Sequence, residues 1–430
     1  MPSIAEPDLY KAECIVFALV LGGVVLALLV HGLRQRRPEL ELEYPIAVAF
    51  GVRVLALGAV PLLGSASSLR GGDEAGFFFR AGELSERGIA SDPSLDALTS
   101  ELHIWILSLQ LRIIPDYAET AVRIGHVLIA VAGLVLLAAA VYELAGARAA
   151  RLAAWVLAFE PASIFFSGVL HKESPMILAA GLVAFGGAKL WTRRELSGLP
   201  LMLVGCSIAV ATRPYAGWFL VAAAVAVTLH ASVTRRGEQQ GRALALATVV
   251  ALLVGASLPT ALEETSDERL QSVLQRSQDA NARGDANLAL ERVDFSTREK
   301  VLTNLPIRIR DMLLRPYPWQ TANASQRLGV MGVAVMLAVL ALLLQQVLSS
   351  PRTVLSRAGP LVYPALFLLI AYSLSSGNAG TAFLYRTHLV VFGICIVVIL
   401  REQRQQARAP APASRSEAAP WLRDAAQPIG

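Results

Sequence analysis

Gly71-Gly72-Asp73-Glu74-Ala75-Gly76-Phe77-Phe78-Phe79-Arg80-Ala81-Gly82-Glu83-Leu84-Ser85-Glu86-Arg87-Gly88 follows the second long apolar run of the chain. Two adjacent carboxylates stand just past a flexible Gly-Gly, where a membrane helix emerges into water. Beyond them Phe77, Phe78, Ala81 and Leu84 recur at helical spacing, while Arg80, Glu83, Glu86 and Arg87 fall mostly on other faces. That pattern predicts an amphipathic helix lying along a membrane surface, with Asp73 placed to cap its first turn. Lipid-embedded helices are then arranged around the acidic pair.

Composition agrees with a bilayer setting. Of the 430 residues, 55% are hydrophobic and 17% charged, whereas soluble domains carry roughly 25% charged residues. Apolar runs of spanning length lie near 13–33, 45–64, 117–144, 150–169, 173–192, 197–212, 214–231, 242–260, 328–348, 358–376 and 382–400. The expected fold is an all-α polytopic membrane protein with about eleven transmembrane helices and external interfacial helices. A shorter run, Leu102 to Ile114, is expected to pack at the interface. The net charge of +5 is spread over many short loops, which argues against a nucleic-acid partner. Cys14, Cys206 and Cys395 lie far apart in apolar runs, so neither a disulfide framework nor a structural zinc site is expected.

Basic loops set the orientation. Arg34/Arg36/Arg37, Arg148/Arg151, Arg193/Arg194, Arg235/Arg236/Arg242, Arg352/Arg357 and the tail from Arg401 all fall on one side if the N-terminus is outside. The Ala, Leu and Arg bias suggests a bacterial source, hence a multi-pass inner-membrane protein with a cytoplasmic C-terminus. The long loops 65–116 and 261–327 then lie outside. Long loops are commonly functional, so the chemistry is expected at the external face. Residues 401–430, rich in Ala, Pro, Arg and Ser, read as a disordered cytoplasmic tail.

The candidate residues are mostly external. Asp73 and Glu74 serve either as a helix cap and dipole partner or as a general base that takes the proton of an acceptor hydroxyl. In His171-Lys172-Glu173, the lysine either snorkels at a helix end beside Glu173 or holds an anionic lipid phosphate. Glu160 stands inside an apolar run, where a charge is costly and faces a polar cavity, and Pro161 opens the helix beside it. Arg213 beside Tyr215 offers a guanidinium fork suited to phosphate. Arg315, near Tyr317 and Trp319, and Arg386, near Tyr385 and His388, are parallel cases. His31, His103, His126 and His230 lack ligand spacing and read as structural or surface residues.

These motifs together resemble the integral-membrane GT-C glycosyltransferases, the group that includes protein O-mannosyltransferases and lipid A aminoarabinose transferases. The resemblance is carried by Asp73-Glu74 and Ala81-Gly82-Glu83-Leu84, by Pro161 to Ser167 with Lys172-Glu173, by Arg213-Pro214-Tyr215 and by Tyr385-Arg386. It spans residues 45–400 and makes 1–44 an extra N-terminal transmembrane helix and cytoplasmic loop. It implies hexosyl or pentosyl transfer from a polyprenyl-phosphate sugar to a cell-envelope glycan, lipid or protein. Asp73 becomes the catalytic base with Glu74 as its alternate, and Lys172, Arg213 and Arg386 contact the donor phosphate. No cofactor is assigned, and a divalent metal is left as an option with one Asp-Glu pair as its only support. Two other readings stay open. A polysaccharide polymerase or ligase would use a diphosphate-linked glycan, and a transporter or flippase would line a path with charges and show repeated halves.

Overall fold

Lipid offers the backbone no hydrogen-bond partners, so each apolar run closes its own helical ladder. The computed structural model describes residues 12–62, 72–87, 101–114, 118–193, 195–233, 272, 290–291, 293–321, 324–349 and 351–408. Among these residues there are fourteen α-helices and no strand. They are α1 (Ala12–Arg36), α2 (Glu43–Leu62), α3 (Gly72–Glu86), α4 (Leu102–Ile113), α5 (Glu119–Ala145), α6 (Ala147–Ala158) and α7 (Pro161–Ser167). The others are α8 (Glu173–Arg193), α9 (Gly198–Thr212), α10 (Pro214–Val233), α11 (Arg298–Leu314), α12 (Ala324–Ser349), α13 (Pro351–Ser375) and α14 (Ala379–Arg408).

Seven of them, α1, α5, α8, α10, α12, α13 and α14, are long and apolar enough to cross a membrane, and the bent pair α6–α7 makes an eighth. The protein is thus an all-α polytopic membrane protein. The 45–64 run is α2. The 197–212 run is α9, whose 15 residues reach about 22 Å against a hydrocarbon core near 30 Å. The 242–260 run lies outside the described residues, as do 261–271 and 273–289 of the 261–327 loop. Residues 401–408 differ from expectation: α14 runs on to Arg408, so any tail begins later, and 409–430 lie outside the described residues.

α14 forms the centre, with 89% of its most apolar window buried, against 22% for α1 at the rim. α5 and α8 pack beside it through glycine. A Cβ on Gly133 would stand 2.7 Å from the Ile177 carbonyl, and one on Gly181 would stand 2.5 Å from the Gly133 oxygen. Only glycine lets the two backbones approach this closely.

The chain breaks between α6 and α7, with a bend of 65°. Broken helices leave carbonyls on one side and N–H groups on the other. Glu160 accepts from Ala162 N–H and Ser163 N–H at the start of α7. Arg53 of α2, fully buried, donates to the Leu157 and Ala158 carbonyls at 3.1 Å each and to Ser163 Oγ at 2.6 Å. Each charge thus answers the helix end of opposite polarity.

Two ends of the bundle are chemically distinct. At one, Arg37 meets Glu143, Arg193 meets Glu143, Arg151 meets Glu41, and Gln403 donates to the Leu144 carbonyl. At the other, α3 and α4 lie across the start of α5. Ala81, Ile104, Leu107 and Leu111 pack there with Ala18 and Val122, and the 102–114 run is the short helix α4. Glu119 and Glu143 mark the two ends of α5, about 36 Å apart at the helical rise.

Candidate active site

α3 begins at Gly72, so Asp73 and Glu74 stand inside its first turn rather than ahead of it. Neighbouring helical residues point about 100° apart, and here they part company. Asp73 is exposed while Glu74 is buried. Glu74 Oε1 lies 2.5 Å from Arg123 Nη1 of α5 and accepts from the Leu170 N–H at 2.7 Å. Arg123 also pairs with Glu119 and donates to the Gly168 carbonyl at 2.9 Å. One guanidinium therefore ties α3, α5 and the turn after α7 together. Glu74 is spent in that pin. Asp73 has no hydrogen bond or ion pair among the described residues.

The same turn carries His171 and Lys172. Phe77, three residues after Glu74, stands edge-on to His171 at 6.0 Å and to His103 at 5.1 Å. Lys172 Nζ lies 5.8 Å from the Phe77 ring centroid, at the reach of a cation–π contact. Burial, and then the nearby Arg213 charge, hold the Lys172 ammonium below the ordinary lysine range. His103 Nε2 lies 3.1 Å from the Leu170 carbonyl, and His126 packs edge-on to His103 at 5.4 Å. Both histidines are fully buried, so they form a structural floor under Phe77, and the surface alternative falls away.

Glu173 opens α8 and is also fully buried. Arg213, in the turn between α9 and α10, donates to it at 2.8 Å and lies over the Tyr385 ring at 4.5 Å. Tyr385 stacks on Tyr372 at 4.5 Å and shares a hydrogen bond with the Tyr215 hydroxyl. His388 reaches the Tyr372 hydroxyl at 3.3 Å and the Glu173 carbonyl at 3.4 Å. Sequence reading placed Glu173, the Arg213–Tyr215 pair and His388 in three separate motifs. They share one cluster, directly behind Lys172.

Residues 100–258 match the family model for dolichyl-phosphate-mannose-protein mannosyltransferase. No curated protein and no solved structure matches the chain. The match covers over a third of the 430 residues. It supports the GT-C resemblance and a membrane glycosyltransferase using a lipid-linked sugar donor. It takes in Arg123, Glu160, Lys172 and Arg213, while Asp73, Glu74 and everything after residue 258 fall outside it.

Beyond the part similar to the mannosyltransferase family, Arg386 departs from expectation. It is not at a helix mouth but inside α14, 1% exposed. Its guanidinium donates to the Met312 carbonyl at 2.8 Å and to the Arg315 carbonyl. Those carbonyls lie at the end of α11, where the helical ladder runs out, so Arg386 closes a helix end. Arg308 does similar work, donating to the Ser376 carbonyl at 2.7 Å, and burial lowers its pKa to about 10. Arg315 pairs with Asp311 at 3.5 Å and lies 5.8 Å from the Tyr317 ring, which stacks on Trp319 at 5.0 Å. Trp319 is 79% exposed, so this patch faces outward, as headgroup-level aromatics do.

Arg53, Arg123 and Tyr372 are the residues that sequence reading passed over. Arg53 and Arg123 had the same visible signal as Glu160, a charge inside an apolar run. Among the described residues, no group of three or more His, Cys, Asp and Glu side chains is placed to hold a metal ion. The one carboxylate pair at the site does not fit one either, because Arg123 already neutralises Glu74.

Proposed function

We propose that the protein transfers a sugar from a polyprenyl-phosphate donor to an acceptor hydroxyl at the outer face of a bacterial cell membrane. The observation that carries this reading is the joint anchoring of a carboxylate and a cation. Glu74 grips the Leu170 N–H, two residues before Lys172, and Lys172 in turn lies over Phe77, three residues after Glu74. Asp73, exposed and one residue from that grip, is free to act as a base. Lys172, with His171 beside it, supplies positive charge for a phosphate. A cavity of about 430 Å³ at the α6–α7 break, lined by Trp155, Phe159 and Pro161 among others, gives apolar room for an isoprenoid chain.

In this mechanism the acceptor oxygen attacks the anomeric carbon while Asp73 takes its proton. The bond from the anomeric carbon to the phosphate oxygen breaks, and its electron pair leaves with the lipid phosphate. Lys172 meets the charge that grows there, and a preplaced cation costs no reorganisation at that moment. Arg213 has a different part from the one expected. Held by Glu173 and Tyr385, it stiffens the floor behind Lys172.

The test uses purified protein in nanodiscs with radiolabelled polyprenyl-phosphate sugars and a membrane extract as acceptor. Release of polyprenyl phosphate is expected, and Asp73→Asn is expected to cut it about a hundredfold or more with an unchanged melting temperature. Glu74→Gln, by contrast, breaks the pin and lowers the melting temperature. Undiminished turnover in Asp73→Asn removes the base assignment. Consumption of a diphosphate-linked glycan alone moves the protein to the polymerases and ligases, and silence with both donor types leaves transport.

A further inference from the structure

The end of the bundle opposite the candidate site carries a second feature. The last turns of α1, α5 and α8 border a cleft of about 250 Å³. Leu28 and Leu33 of α1 and Phe185 of α8 line its apolar part, and Arg36 and Arg37 line its polar rim. α1 packs chiefly on α5, so its flank toward α8 is left for something else to fill.

The charges around this cleft do not balance. Arg36, Arg37, Lys189 and Arg193 face three carboxylates, Glu143, Glu195 and Glu39, the last accepting from the Tyr142 hydroxyl. Glu143 takes Arg193 and, at 3.3 Å, Arg37. Glu195 takes Lys189 at 2.9 Å and Arg37 at 3.7 Å. One positive charge remains, and Arg36 is exposed with no side-chain partner among the described residues. Basic residues above an apolar wall, at the level where helices leave the bilayer, match a lipid whose phosphate is not neutralised by its own headgroup. A zwitterionic lipid brings its own cation and leaves the surplus unanswered.

We propose that this cleft binds an anionic glycerophospholipid, its phosphate diester at Arg36 and Arg37 and one acyl chain along Leu28, Leu33 and Phe185. The lipid would complete the seat of α1, the least enclosed of the spanning helices. The site is independent of the transfer reaction and stands at the other end of the molecule.

Full-length protein is purified in mild detergent, stripped of lipid, and offered phosphatidylglycerol, phosphatidylcholine or free glycerol phosphate. Native mass spectrometry reads retention, and thermal unfolding reads stabilisation. Phosphatidylglycerol is expected to be retained and to raise the melting temperature, and the other two are not. Arg36→Gln is expected to weaken retention about fivefold. Gly32 provides a second variant that leaves every charge in place. It lines the cleft, and a Cβ there meets nothing within 4 Å, so Gly32→Leu grows into the space and blocks the lipid without disturbing the helix contacts. Equal retention of phosphatidylcholine overturns the proposal, as does phosphatidylglycerol binding that ignores both variants. Capture of free glycerol phosphate as strongly as the lipid overturns it too, since the apolar wall would then contribute nothing.

Discussion

Lys172 shows how one side chain is set by its surroundings. It sits over Phe77, near Arg213, in a turn pinned by Glu74. Burial and the neighbouring guanidinium favour its neutral form, so its charge is lost at lower pH than that of a free lysine, near 10.4. A base whose pKa is lowered is neutral above that lowered value, so phosphate binding weakens as pH climbs toward it. The KM for the lipid-phosphate donor is expected to rise between neutral pH and about pH 10, with kcat less affected. Lys172→Arg keeps its charge throughout and is expected to flatten that rise. A KM profile identical in the two proteins removes Lys172 from the donor site. Lys172 and Asp73 were legible because each stands at the edge of an apolar run. Their assembly was not. The pairing of Glu74 with Arg123 joins residues 49 apart, and no local pattern marks such a partnership.

At the scale of elements, the α6–α7 break was readable from Glu160 and Pro161, since a charge and a ring that lacks an N–H both disfavour a continuous span. The partner that makes the break tolerable, Arg53, was not, because it comes from another helix. Removing Arg53 leaves the buried Leu157 and Ala158 carbonyls without their donor and Glu160 without its nearby positive charge, at a cost of about 1–3 kcal/mol for each stranded group. Arg53→Leu is therefore expected to lower the melting temperature in detergent sharply. Arg53→Leu with Glu160→Gln is expected to recover part of that loss, because the stranded carboxylate is gone. Additive losses in the double variant would falsify the coupling between the two residues. Arg386 teaches the converse lesson. A cation near the start of an apolar run fits phosphate binding, snorkelling and helix capping alike, and only the neighbouring end of α11 decides among them.

Across the whole molecule, the described loops rich in arginine share one end and the candidate site occupies the other. This separation was legible, because a polytopic chain must alternate sides and its basic loops alternate with it. Which end faces the cytoplasm is open to direct measurement in a cysteine-free background. Glu83→Cys, on the exposed face of α3, is expected to react with an impermeant maleimide in intact cells. Glu41→Cys, beside Arg151, is expected to react only after permeabilisation, and the reverse pattern inverts the proposed orientation. The boundary of the central bundle was less legible. Uniform apolarity does not distinguish α14, enclosed on nearly every side, from α1, which faces lipid.

α14 also has a place in time. A ribosome makes it after every other described helix, yet it supplies Tyr385 and His388 to the cluster that Glu173 and Arg213 began about two hundred residues earlier. Until it enters the bilayer, Glu173 and Arg213 lack the Tyr385 ring and His388, and the glycine-packed pair α5–α8 borders an unfilled centre. The earlier helices must therefore wait, inserted but not closed, through the synthesis of residues 234–323 and of α12 and α13. The floor of the site is finished by the last helix to arrive.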